Sequence, residues 1–295
     1  MTTSHAKAVV VGVDGSPDGD RAVDYAAALA NREHLEVRLV HVPHEYVMYG
    51  SFTPYVPQVM AREAGESVLR DAAKHADEAG FPSDRVTTVL AHGPRTVALL
   101  QHTTDAKYIV LGSRTSAVRH LLTGATSLSV AAHSAVRVRC VPPSWSGSQP
   151  SSGRVATGVD GSKADSAVLE AAFAEAGTAG AELQIVHAWP AVRPYDAATT
   201  GRVLDEDWEK TAREVLTKYI EPIAARHLRV RWELRLDYQR VTVALHEAAM
   251  HADLLVLGRH GHNAPLGLLV GSNTRTLLHA APCPIEVVPV SSERE

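Results

Sequence analysis

Leu254-Leu255-Val256-Leu257-Gly258-Arg259-His260-Gly261, followed nine residues later by Gly271-Ser272-Asn273-Thr274, is the stretch that decides how this chain folds. The apolar run predicts a strand buried on both faces, and Arg275 to Ala280 predicts the helix after it. A strand that runs into glycines and then into a helix start is how a parallel α/β sheet receives an anion. Glycine lets the backbone come close and adopt φ > 0. The first N–H groups of the helix, and its dipole, favour negative charge. Ser272 and Thr274 add hydroxyl donors at the same mouth.

A second, altered copy of the segment starts at Lys107-Tyr108-Ile109-Val110-Leu111-Gly112 and continues to Leu121-Leu122-Thr123-Gly124-Ala125-Thr126-Ser127. Gly112 and Gly258 stand 146 residues apart. The same offset relates Val13-Asp14-Gly15-Ser16 to Val159-Asp160-Gly161-Ser162, Val40-His41 to Val186-His187, and Thr96-Val97-Ala98-Leu99 to Thr242-Val243-Ala244-Leu245. One register for four matches, all at strand ends or helix starts, means a tandem duplication of one fold.

Bulk composition agrees. At 295 residues and 45% hydrophobic, each half is long enough to bury its own core. A net charge of −4 gives no electrostatic reason to expect nucleic acid. No apolar run reaches the roughly 20 residues of a membrane helix. Met1 to Lys7 leads straight into a strand without the apolar core of a secretory signal. Cys140 and Cys283 fall at or near the last strands of separate halves, which argues against a disulfide and fits a reducing compartment. The expectation is a soluble, cytoplasmic protein without nucleic-acid or membrane partners.

In the first half, strands are predicted at 9–13, 37–42, 86–90, 108–111 and 136–141, with helices at 18–31, 62–79, 96–103 and from 126. Ser16 can cap the first helix and Pro17 suits its first position. The second half repeats the order: strands 154–159, 182–188, 229–236, 253–257 and 284–290, helices 164–176, 206–226, 242–250 and 273–280. Strands alternating with helices imply βαβ crossovers and a parallel sheet. Pro142 to Gly153 is rich in Ser, Gly and Pro and reads as a linker. The expected division is a first domain over 1–142, a linker over 143–153 and a second domain over 154–295. Each half also carries an irregular segment after its second strand. One is Pro43 to Pro57 with Tyr46, Tyr49, Phe52 and Tyr55; the other is Trp189 to Asp205 with Tyr195. These are read either as lids on the ligand side or as surface loops.

The aspartate after the first strand, the G-x2-G-x9-G-[S/T] pattern after the fourth, and the doubled βαβ halves together resemble the universal stress protein family, in particular tandem members of its ATP-binding branch. Leu39-Val40-His41-Val42, Gly93-Pro94 and Ala281-Pro282-Cys283-Pro284-Ile285 add to the likeness, which spans about 8–142 and 154–290. The resemblance implies two tandem five-stranded parallel sheets flanked by helices, ordered 3-2-1-4-5. That fold is Rossmann-like and similar to the adenine nucleotide alpha hydrolases. It also implies bound ATP, with or without magnesium, and pairing of domains through the last strand, within the chain or in a homodimer. Carried over, Asp160 would meet the adenosine and the backbone at Ala188 the adenine. Gly258 and Gly261 would flank ribose and phosphates, and Gly271, Ser272, Asn273 and Thr274 would hold the phosphate tail. Asp14, Val42, Gly112, Gly124 and Ser127 are the first-half counterparts. There the pattern is altered: Thr115 stands for the second glycine, Ala125 for the serine, and the loop is one residue shorter. Binding in the first half is expected to be weaker or lost.

Other candidate residues have plainer readings. Asp14 and Asp160 are single carboxylates, which suit hydrogen bonding better than metal ligation or base catalysis. His260 and His262 lack a third ligand at metal spacing, and Arg259 with His260 would either steer phosphate or be solvated. His41 and His187 read as structural. Ser16 and Ser162 read as helix caps, since no His–Asp relay surrounds them. Glu63-Glu66 and Glu206-Asp207-Glu209 are charged helix faces. Cys283, between two prolines, lacks an activating partner. The resemblance and the glycine loop favour an ATP-binding regulatory sensor in stress response, with little or no turnover. A slow ATPase is an alternative, although no G-x4-G-K-[S/T] lysine is present. A scaffold with vestigial sites is the third class.

Overall fold

In the computed structural model, residues 7–43, 58–113, 125–162, 165–189, 197–259 and 270–289 are described. The chain divides into two compact units, Met1–Gln149 and Pro150–Glu295. The first contains β1 (Ala8–Gly12), α1 (Pro17–Glu33), β2 (Glu36–His41), α2 (Gln58–Glu78), β3 (Val86–Leu90), α3 (Arg95–Gln101), β4 (Ala106–Gly112), α4 (Ala125–His133) and β5 (Arg137–Val141). The second contains β6 (Arg154–Gly158), α5 (Asp165–Ala179), β7 (Glu182–Ala188), α6 (Ala197–Ala224), β8 (Trp232–Asp237), α7 (Val241–Ala249), β9 (Leu254–Gly258), α8 (Ser272–Ala280) and β10 (Ile285–Val288).

Strands of the first unit run in the order β3-β2-β1-β4-β5, and those of the second β8-β7-β6-β9-β10. All pairings within each unit are parallel. This is the expected 3-2-1-4-5 order in both halves. In the first unit Val9 pairs with both Val37 and Tyr108, so β1 is central. Its residues Ala8 to Val11 are buried because helices cover both faces. Val9 and Val11 point into a core with Ala22, Ala26 and Leu29 of α1 and Leu69 and Ala76 of α2. Gly12 faces the opposite way, toward Leu99 of α3. In the second unit Leu169, Phe173 and Ala176 of α5 and Ile220 of α6 meet Leu183 and Ile185 of β7. Each fully buried Leu, Ile or Phe contributes about 1.5–3 kcal/mol.

Helix α1 starts as its sequence predicts. Ser16 is extended at φ −98 and ψ 159, its Oγ accepts from Gly19 N at 3.3 Å, and Pro17 follows. Two helices begin earlier than expected: α2 at Gln58 rather than 62, and α6 at Ala197 rather than 206. Residues 197–205, read as irregular, are helical. Once Leu216, Ile220 and Ile223 anchor α6 to the core, adding residues at its N-terminus costs little, and no proline intervenes before Pro222. Strand β8 begins at Trp232 rather than 229, because Val230 N is still bonded to His227 O in the turn that follows the helix. The linker stretch is shared between the units. Trp145 packs edge-on to Tyr25 at 5.2 Å, in the first unit. In the second, Ser151 Oγ, Ser152 N and Gly153 N all donate to the Asp253 carboxylate, at 2.6, 2.7 and 2.9 Å.

Candidate functional site

Within each unit the central strand and its fourth-strand neighbour lead to helices on opposite faces, so a crevice opens between their carboxyl ends. Such a switch point is where open α/β sheets bind ligands. In the second unit it lies between β6 and β9, paired through Thr157 and Val256.

The two turns on one side of the crevice are built alike. Val13 N donates to Val40 O at 3.0 Å, and Val159 N to Val186 O at 2.9 Å. Gly15 and Gly161 take φ of 73° and 84°, the left-handed values that a side chain would resist. Asp14 Oδ1 accepts from Ser16 N at 3.1 Å and from Ser16 Oγ; Asp160 Oδ1 accepts from Ser162 N at 3.0 Å. His41 Nδ1 donates to Val13 O at 2.8 Å, and His187 Nδ1 to Val159 O at 2.9 Å. Both histidines therefore hold the turns in place.

The second turn contains a group that has no counterpart in the first. Asp165 Oδ2 accepts from Asp160 N at 3.0 Å and Gly161 N at 2.7 Å. Burial, and then the nearby Asp160 carboxylate, push the Asp165 carboxyl from 3.8 up to about 7, against the pull of those backbone donors. Gly19 occupies the equivalent position of α1, and a Cβ there would lie 3.2 Å from Asp14 Oδ1. This corrects the expected role of Ser162. Its Oγ is buried and finds no partner among the described residues, because the Asp165 carboxylate, not a serine hydroxyl, organises the turn.

Across the crevice, Gly271 is the N-cap of α8 at φ −59 and ψ 149. Its N–H donates to Arg259 O at 2.8 Å and closes the loop. The expectation that loop glycines need φ > 0 fails at Gly271. At Gly112 close approach is the reason for glycine, since a Cβ would sit 2.3 Å from Asp18 O of α1. Ser272 and Asn273 are exposed in the first turn of α8, where backbone N–H groups have no intrahelical acceptor. Thr274 is buried, and its Oγ1 donates to Gly258 O at 3.0 Å. Ser127 Oγ donates in the same way to Gly112 O at 3.3 Å. Those two hydroxyls tie a helix start to a strand end rather than facing the crevice. Arg259 is half-buried, which lowers its pKa.

Val42 and Ala188 follow or end β2 and β7 at the carboxyl edge. Gly124, Gly261, Thr115, His260 and His262 lie outside the described residues, as do Tyr46, Tyr49, Phe52, Tyr55 and Tyr195 of the two segments read as lids or loops. Among the described residues no three His, Cys, Asp or Glu side chains converge as metal ligands, and no helix is long and apolar enough to cross a membrane. Burial pushes the Cys140 and Cys283 thiols to about 12 each. Three residues near the turn were not singled out from sequence: Asp165, Trp189 and Tyr238. Comparing the copies would have exposed them, since Gly19, Pro43 and His92 stand 146 residues earlier.

The strand order, the doubled crevice and the glycine-to-helix loop define a tandem, doubly wound α/β protein. The chain belongs to the universal stress protein family, whose profile matches residues 5–142 and 152–289. It is similar to a universal stress protein of Mycolicibacterium smegmatis, 28% identical over 285 residues that cover 95% of this chain and 96% of the relative. A universal stress protein of Mycobacterium tuberculosis is 29% identical over 296 residues, covering 95% and 96%. The fold is shared with the crystal structure of a universal stress protein from Archaeoglobus fulgidus, at a TM-score of 0.69 and 18% identity, covering 99% of both chains.

Proposed function

We propose that the second unit binds ATP and that the protein acts as a regulatory nucleotide sensor in a stress response, with little or no turnover. One observation carries the reading: the Asp160 turn and the exposed first turn of α8 flank the same switch point, between the paired strands β6 and β9. Asp160 would take the adenosine hydroxyls, and the N–H groups of Ser272 and Asn273 would take the phosphates. Family membership supports an adenine nucleotide as the ligand. Weak turnover is supported by the commitments of the crevice side chains among the described residues. His187 is committed to the Val159 carbonyl, Thr274 to the Gly258 carbonyl, and neither is an activated nucleophile. Adenine nucleotide is then the working partner in the cytoplasm.

The test is a thermal shift with ATP. Saturation at about 100 times the dissociation constant should stabilise the protein by roughly 2.7 kcal/mol. Gly271→Val should abolish the shift; φ −59 and ψ 149 are open to valine, and far-UV circular dichroism of the variant checks that the chain stays folded. Full stabilisation of that variant would sink the assignment. ATP turnover near the common enzyme value of about 10 per second would replace the sensor by an ATPase.

A further inference from the structure

The turns that open the two crevices differ at one position of the repeat. In the first unit it is Gly19, in the first turn of α1, where a Cβ would lie 3.2 Å from Asp14 Oδ1. In the second it is Asp165, 146 residues later at the start of α5 and 5% exposed. Its Oδ2 receives the N–H groups of Asp160 and Gly161, and its own N donates to Ser162 O at 3.1 Å. Asp160 Oδ1 accepts from Ser162 N at 3.0 Å, so two carboxylates are built into one turn. From α6, the Tyr219 hydroxyl reaches Ser162 O at 3.5 Å; burial first, and then the Asp165 charge, raises its pKa. From β7, His187 Nδ1 donates to Val159 O at 2.9 Å. Strands β6, β9 and β10 bring only apolar Val155, Val159, Leu254, Val256 and Val288 to the core beneath α5. Among the described residues no cationic side chain pairs with Asp165, and Lys163 lies outside them.

We infer that Asp165 is a proton switch on the nucleotide site: with a proton on its carboxyl the turn presents the single charge of Asp160 and ATP binds tightly, and without it the turn carries two charges and ATP binds weakly. The inference rests on the nucleotide-binding reading above. Both backbone bonds go to Oδ2, so a proton on Oδ1 leaves them in place and changes the charge of the turn rather than its shape. The ionised form is opposed by burial and by Asp160. A triphosphate adds negative charge to the same crevice, which opposes that form further. ATP therefore favours protonated Asp165, and by linkage its binding draws a proton onto this carboxyl. Because Asp165 titrates at about 7 in the ligand-free fold, the switch works around neutral pH. With Gly19 at this position, the first unit has no such group.

The experiment titrates the full chain with ATP by calorimetry from about pH 6 to 8, in pairs of buffers that differ in ionisation enthalpy. Wild-type affinity should fall about fivefold over that range relative to Asp165→Asn, the loss that a rise of about one unit in Asp165 on binding produces. Comparison with the variant cancels the titration of ATP itself and of His187, His260 and His262. Near pH 7.5 the wild type should take up about half a proton more than the variant does when ATP binds. Asp165→Gly, which carries the first unit's residue at this position, should match Asp165→Asn, so the result does not depend on the folding of one variant. If both variants keep the wild-type pH slope and proton uptake, while Gly271→Val still abolishes ATP binding, the switch is overturned and the nucleotide site stands. If the wild type binds no ATP at any pH in the range, both readings fall.

Discussion

Asp165→Asn should stabilise the protein above neutral pH and leave it nearly unchanged in acid. In the fold the carboxyl titrates at about 7 instead of 3.8, because it is 5% exposed and lies beside Asp160. Below about pH 4 it is protonated in both folded and unfolded chains, and its contribution to stability is fully present. Between about 4 and 7 the folded chain keeps a proton that the unfolded chain has released, so that contribution is lost as pH rises. At about 1.4 kcal/mol per pH unit, a gap of about three units costs about 4 kcal/mol by pH 8. Asparagine can replace it because the bonds from Asp160 N and Gly161 N go to one oxygen, Oδ2. The amide oxygen can accept both while the NH2 group takes the other position. The assay is urea unfolding of wild type and variant from pH 4 to 8. It is read by tryptophan fluorescence, since Trp189, Trp208 and Trp232 all belong to the second unit. The variant's advantage should grow from about pH 4 to about 7 and then level off. An advantage that stays flat, or a loss at pH 8, would show that the backbone donors hold Asp165 ionised and that the argument from burial is wrong.

Gly112→Ala should destabilise the first unit by about 1–3 kcal/mol in the same unfolding assay, because the new Cβ would meet backbone, Asp18 O at 2.3 Å, rather than a yielding side chain. Titration of nucleotide-free protein should find about one tight ATP site per chain; Asp160→Ala should remove it and Asp14→Ala should spare it, whereas two equal sites would refute the asymmetry. Neither Cys140 nor Cys283 should react with a thiol reagent at pH 8 until the chain is unfolded, since burial holds both thiols near 12; rapid labelling of native protein would contradict this.

Much of the architecture could be read from local pattern. The Asp-Gly-Ser turns, the continuous apolar strands and the 146-residue offset act over a few residues or repeat exactly, and they lead to two units with strands in one order. Ser16 capping α1 was legible for the same reason, as were His41 and His187 as structural groups. Residues whose role depends on a distant neighbour were not. Ser127 and Thr274 look like ligand donors in sequence, but each hydroxyl is claimed by a strand carbonyl 15 or 16 residues earlier. The reach of α6 back to Ala197 depends on a core it enters only near Leu216. Asp165 reads as an ordinary first-turn acid until folding buries it against the amides of Asp160 and Gly161 and beside a second carboxylate. Trp189 and Tyr238 are 49 residues apart and become neighbours only because β7 pairs with β8. Backbone preference and burial pattern are properties of adjacent residues, so the sequence determined them alone. Desolvation, close approach and ring contact exist only between segments brought together, so the tertiary structure decided the charge and the aromatic surface at the candidate site.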